Sequence, residues 1–165
     1  MRRIILYVFI STLLVNLSSC KNSRPDEPRA QFNKDNHPVK ELYMSSIEAF
    51  NQRNTDVFLK NFDVDIKMYG TDGLYFGRDA LRDRFDGVFK QFPNVRMEIL
   101  EFDLKELSEK IVLVNFKWKV YPMGQGPAYT GLGSGLYMYK DYAWTEILEA
   151  ERVTEIDKEL ITEGR

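Results

Sequence analysis

At 165 residues, 44% of them hydrophobic and 13% aromatic, the chain is long enough for one globular domain that buries a core of its own. Its formal net charge is −2, with a single His and a single Cys. That balance excludes a basic nucleic-acid-binding face, an internal disulfide and a metal centre built on paired His or Cys ligands.

Residues 1–19 have the order of a signal peptide: the positive start Met1-Arg2-Arg3, an apolar run from Ile4 to Val15, then Leu17-Ser18-Ser19 before Cys20. The run is too short to span a bilayer. Leu17-Ser18-Ser19-Cys20 resembles a bacterial lipobox, which implies cleavage before Cys20 and lipidation of its thiol, palmitate among the acyl groups. Several acyl chains on one residue anchor stably where a single chain does not. Cleavage takes away Arg2 and Arg3 and no acid, so the mature chain is more acidic by two charges. Residues 20–37 are polar and carry Pro25 and Pro28, the composition of a flexible tether. With Lys21 rather than Asp after Cys20, the bacterial outer membrane is the expected destination in the cell envelope, in preference to the inner one.

A domain over residues 38–157 follows. Pro38 suits a first helical turn, and Val39, Leu42, Tyr43, Ile47 and Phe50 form one apolar helical face. Thr55 is placed to cap a short second helix carrying Val57, Phe58 and Phe62. Val64, Ile66 and Met68 alternate with polar neighbours as a strand, Gly70 to Gly73 make a turn, and Leu74 to Phe76 return. Gly77 precedes a third helix with Leu81, Phe85, Val88, Phe89 and Phe92 inside, ended by Pro93. Strands are then expected over 96–104, 111–121, 131–140 and 143–156, with 105–109 and 122–127 as turn and loop. Val112, Val114, Phe116, Trp118 and Val120 share one face of the second of these. Residues 158–165 read as a charged, frayed tail. Helices first and long antiparallel strands after give the α+β class.

Three stretches within Pro38 to Ile156 resemble the nuclear-transport-factor-2-like (NTF2-like) superfamily, its SnoaL-like group especially. They are Ile47 to Asn51 with the short helix from Asp56 to Phe62, Tyr75-Phe76-Gly77-Arg78-Asp79-Ala80-Leu81, and Gly131 to Tyr139 followed by Trp144. The resemblance implies a cone: a curved antiparallel sheet wrapped on three N-terminal helices, with a pocket in its wide end. Relatives include ketosteroid isomerases, scytalone dehydratases, polyketide cyclases and non-catalytic binding or dimerisation modules. Fold alone does not select among these.

Isomerase-type chemistry needs a carboxylate base and acidic donors around an enolate. The corresponding positions fall near Ser46, on Met68 or Gly70, and near Ser134 or Gly135, none of which is a carboxylic acid or phenol. Dehydratase chemistry leans on paired histidines, and His37 reads as an exposed tether residue. Gly131-Leu132-Gly133-Ser134-Gly135 is flanked by strands, so its glycines read as letting the strand bend sharply or a neighbour approach closely, rather than as a phosphate cradle. No cofactor and no metal is expected.

Strand parity supplies the remaining candidates. Trp118 is placed with Phe116, and Glu146, Leu148, Ala150 and Arg152 with Trp144, leaving Thr145, Glu149 and Glu151 on the opposite face. Tyr137, Tyr139 and Ile147 are candidates for the outer sheet surface, where relatives often dimerise. The ligand-binding candidates are therefore Tyr43, Tyr69, Trp118, Glu146 and Arg152, with Cys20 as the lipidation site. The expected function is a membrane-anchored, homodimeric module binding a small apolar or amphipathic molecule without catalysis. The alternatives are a SnoaL-like isomerase, cyclase or hydrolase using Tyr43, Tyr69, Glu146 and Arg152, or an interaction module whose pocket is filled by Trp118, Phe116 and Met68.

Overall fold

A computed structural model of the chain describes residues 36–162, so the leader, Cys20 and the tether as far as residue 35 lie outside the described residues. No helix among the described residues is long and apolar enough to cross a membrane.

The first helix, α1 (Pro38–Asn51), starts as the sequence directs, with Pro38 in its first turn. Its cap is His37, whose Nδ1 accepts from the Val39 amide at 3.1 Å. His37 is therefore not an exposed tether residue: it is 4% exposed, edge-on to the Trp144 ring at 5.3 Å and 3.9 Å from the Glu106 carboxylate. Val39, Tyr43, Ser46, Ala49 and Phe50 are the buried stripe. At the far end, Asn51 clasps β3 (Arg96–Ser108), donating to the Met97 carbonyl and accepting from the Met97 amide. The second helix, α2 (Thr55–Leu59), is capped by Asn54, one residue earlier than expected. Thr55 Oγ1 instead donates to Asp86 on α3 (Arg78–Gln91) at 2.6 Å. Gly77 has φ +85° at the entry to α3, a conformation glycine adopts without strain.

The remaining strands are β1 (Phe62–Gly70), β2 (Gly73–Phe76), β4 (Ile111–Tyr121), β5 (Tyr129–Lys140) and β6 (Ala143–Ile156). With β3 they form one six-stranded sheet in the order β2-β1-β6-β5-β4-β3. All neighbours are antiparallel except β1 and β6, which run parallel. The β3–β4 hairpin is longer than expected: pairing continues to Ser108 opposite Ile111, so most of the anticipated turn over 105–109 is strand. Asp141 and Tyr142 both have positive φ in the β5–β6 turn, whose twist suits a two-residue hairpin. Within the tail, Lys158–Thr162 form α4, and just before it Asp157 accepts from the Ala128 amide at 2.8 Å.

Two apolar clusters lie between helices and sheet. One joins Phe50, Phe58, Leu59, Phe62, Ile66, Met68, Leu81, Phe85 and Phe89. The other joins Val39, Tyr43, Leu104, Val112, Val114, Phe116, Trp118 and Tyr137. α1 contributes to both clusters, and the cavity described below opens against it.

Candidate functional site: a carboxyl-lined cavity

The inward face of β5 carries Tyr129, Gly131, Gly133, Gly135 and Tyr137, paired in register with Val120, Trp118, Phe116, Val114 and Val112 of β4. A Cβ at Gly131 would overlap the Trp118 indole, one at Gly133 the Phe116 ring, and one at Gly135 the Glu146 carboxylate. The glycines thus admit side chains from both neighbouring strands onto the backbone of β5, as the sequence suggested for this stretch. Aromatic rings packed over bare strand backbone recover the contact area that glycine gives up.

On β6 the alternation is interrupted. Tyr137 pairs with Glu146 but Leu136 pairs with Leu148, so Ile147 is the extra residue of a β-bulge. Beyond it parity is inverted: Glu149 faces Gly135, Glu151 faces Gly133 and Val153 faces Gly131. Glu146, Glu149 and Glu151 all line the cavity, whereas Arg152 points outward and is exposed. Placing Glu149 and Glu151 opposite Glu146 assumed unbroken alternation, and the bulge overturns it.

The cavity has a volume of about 420 Å³, within the range of small-molecule sites. Its apolar wall includes Phe50, Phe58, Phe62, Phe85, Phe92 and Trp118. At the carboxyl end, the Tyr137 hydroxyl donates to Glu146 Oε2 at 2.7 Å, and Glu146 is 2% exposed. Burial drives the Glu146 pKa up to about 7, despite hydrogen bonds that favour its carboxylate. Glu151 is pushed up to about 8, again by burial first and by the Glu149 charge second. Glu149 is raised well above the ordinary glutamate range by burial and then by the charge and hydrogen bond of Glu146. Tyr43 and Tyr137 are likewise raised, by burial and then by the glutamates. These are the expected responses of acids taken out of water beside like charges.

One cation lines the cavity among the described residues, Arg84. It is held by Asp72, with Nη2 to Oδ1 at 2.7 Å and Nε to Oδ2 at 3.3 Å. Its guanidinium also lies 4.9 Å from the Tyr75 ring centre and 4.8 Å from that of Phe85.

Of the five ligand-binding candidates, Tyr43, Trp118 and Glu146 meet at the cavity. Tyr69 does not: it sits on the β1–β2 hairpin and is 42% exposed. Tyr137 was placed on the outer sheet surface and is instead buried against Glu146. Strict alternation along β4 and β5 carries the signal for it, since Val112 pairs with Tyr137 and faces inward with Trp118. Tyr139 stays half exposed and packs on Trp144. Arg84 has no signal in the sequence reading, whereas Glu149 and Glu151 are named there but on the opposite face.

No family model and no curated relative matches the sequence. Solved structures do match in fold. An NTF2-like protein of Pseudomonas putida KT2440 superposes with TM-score 0.65 at 11% identity, over 73% of this chain and 87% of that one. A ketosteroid isomerase-like protein of Erwinia carotovora atroseptica gives 0.63 at 15% identity, over 75% and 99%. The hexachlorocyclohexane dehydrochlorinase LinA-type3 of Novosphingobium barchaimii LL02 gives 0.62 at 14% identity, over 72% and 85%. The chain therefore has the NTF2-like fold, a curved mixed sheet wrapped on helices from its N-terminal side, and at these identities the likeness is one of fold.

Proposed function

We propose that this protein is a lipid-anchored component of the bacterial cell envelope whose NTF2-like domain binds a small apolar or amphipathic molecule. The observation that carries the reading is the cavity itself: a long aromatic wall closed at one end by carboxyls and phenols. An apolar body against the wall with one polar group at the glutamates is the ligand shape it suits. The interaction-module reading has less support, because Trp118 and Phe116 lie over the glycines of β5 and leave the cavity open. The lipid anchor rests on the Leu17-Ser18-Ser19-Cys20 pattern, and the homodimer on apolar residues of the sheet that remain exposed, such as Leu132 and Tyr139.

Native mass spectrometry of the full chain extracted from bacterial membranes in detergent tests these parts together. The expected spectrum is a dimer of chains beginning at acylated Cys20, with a non-covalent adduct lost on activation. A chain that retains Met1 and carries no acyl mass would sink the anchor. Monomers throughout would sink the dimer.

A second reading, a proton-transfer enzyme of the SnoaL-like kind, is favoured by one specific contact, the Tyr137–Glu146 hydrogen bond inside an open cavity. A carboxyl poised at about 7 can take and return a proton near neutral pH. The acid–base set is then Tyr43, Tyr137 and Glu146, without Tyr69 and Arg152. Deuterium wash-in beside the carbonyl of tetralone, followed by NMR, is expected to exceed the buffer rate and to fall roughly a hundredfold in Glu146→Gln. Wash-in at the buffer rate with the unaltered protein would remove this reading.

A further inference from the structure

The three inward glutamates outnumber the cations available to them. Among the described residues that line the cavity, Arg84 is the sole cation and is bound by both oxygens of Asp72. The other titratable side chains there are Tyr43, Tyr129 and Tyr137, which are acids too. Glu146 Oε1 lies over the bare backbone of Gly135 and finds no donor among amide, hydroxyl, Lys or Arg groups, leaving only a proton held by Glu149 itself. Its other oxygen already accepts from Tyr137. Three carboxyls gathered out of water with no unengaged cation beside them ionise only at a cost, which a cationic partner would offset.

We propose that the carboxyl end of the cavity is a cation subsite that takes a protonated amine carried on an aromatic or alicyclic body. The inference rests on reading the cavity as a small-molecule site and names the class of ligand. An ammonium has three N–H donors and no acceptor, which matches a cluster of three carboxyls with no unengaged cation beside it. Its ring body lies against Phe50, Phe58, Phe85 and Trp118, where aromatic faces also favour a nearby cation. A carboxylate or phosphate ligand finds no unengaged cation here, since Arg84 belongs to Asp72. Without ligand, the cluster avoids charge by keeping protons. Binding of the ammonium therefore replaces a carboxyl proton: the carboxyl O–H is given up to solvent, and the carboxylate left behind accepts from the ammonium.

Three indoles that differ in their end group, tryptamine, tryptophol and indolepropionate, separate the possibilities. Isothermal titration calorimetry of the full chain in detergent at neutral pH, run in phosphate and in Tris, is the measurement. Tryptamine is expected to bind at least tenfold more tightly than either isostere. Its enthalpy should differ between the buffers by the amount for release of about one proton. Glu151→Gln and, separately, Glu149→Gln should each erase the preference for tryptamine in protein that keeps its native melting transition, and the outward Arg152→Gln should leave the preference intact. Equal or tighter binding of tryptophol or indolepropionate would overturn the cation subsite and leave the cavity reading standing. Failure of all three to bind would overturn both.

Discussion

Glu146 and Tyr137 show how a single side chain acquires a property its neighbours in sequence do not have. The carboxyl is buried under β5 and its pKa rises, and the phenol that donates to it holds the rise in check. Tyr137→Phe removes that donor, so the Glu146 carboxyl is expected to titrate higher than about 7, which a carbon-13 NMR titration would read directly. Loss of a buried hydrogen bond to a carboxylate should also cost roughly 1–3 kcal/mol in chemical denaturation. Trp118→Ala should cost more, about 3–5 kcal/mol, because a whole indole leaves the second cluster. Legibility at this scale was uneven. Trp118 and Glu146 could be placed by parity, and Tyr43 lay on the apolar face of α1. His37 could not, because nothing in a Pro-rich, polar stretch announces that its last residue will cap a helix beneath a tryptophan.

Elements were easier to read than their registers. The amphipathic face of α1, the entry to α3 at Gly77 and the four long strands all follow from periodicity and turn residues, because burial of one face imposes those patterns. A bulge has no such signature. One extra residue at Ile147 exchanges the faces of β6 from Leu148 to Val153, and two acids of the cluster were assigned to the wrong side for that reason alone. The parallel β1–β6 pair was likewise invisible, since strands far apart in sequence leave no mark of their pairing. The Asn51 clasp belongs to this scale, for it ties the end of α1 to the start of β3 through both amide groups of Met97. Asn51→Ala is expected to lower stability by about 1–3 kcal/mol by leaving these backbone groups without a partner. Asn51→Asp should recover the acceptor half, and urea denaturation of the three proteins gives the comparison.

For the whole molecule, the acids divide into two groups with opposite effects on stability. Burial alone would raise Asp63 and Asp72, but Lys140 and Arg84 outweigh it and hold both below the ordinary range. Their contribution is present above the unfolded carboxylate pKa and is lost as pH falls through the folded value. Glu146, Glu149 and Glu151 are raised, so between the unfolded and folded values the native state holds more protons and stability falls as pH rises. The melting temperature is expected to drop from about pH 5 to about pH 8, and the drop should be smaller in the Glu149→Gln, Glu151→Gln double variant. Parallel pH profiles for the two proteins would contradict this account.

The bare backbone of β5 also decides where this cavity can be rebuilt. Between Tyr129 and Tyr137 the strand offers the cavity no side chain of its own, so its lining there is supplied across it by β4 and β6. A library intended to alter what the cavity accepts should leave Gly131, Gly133 and Gly135 untouched and randomise Trp118, Glu149 and Glu151. Trp118 lies over the bare backbone at Gly131, and the glycines paired with Glu149 and Glu151 carry no Cβ, so new side chains at these positions change the shape of the chamber without meeting a side chain of β5.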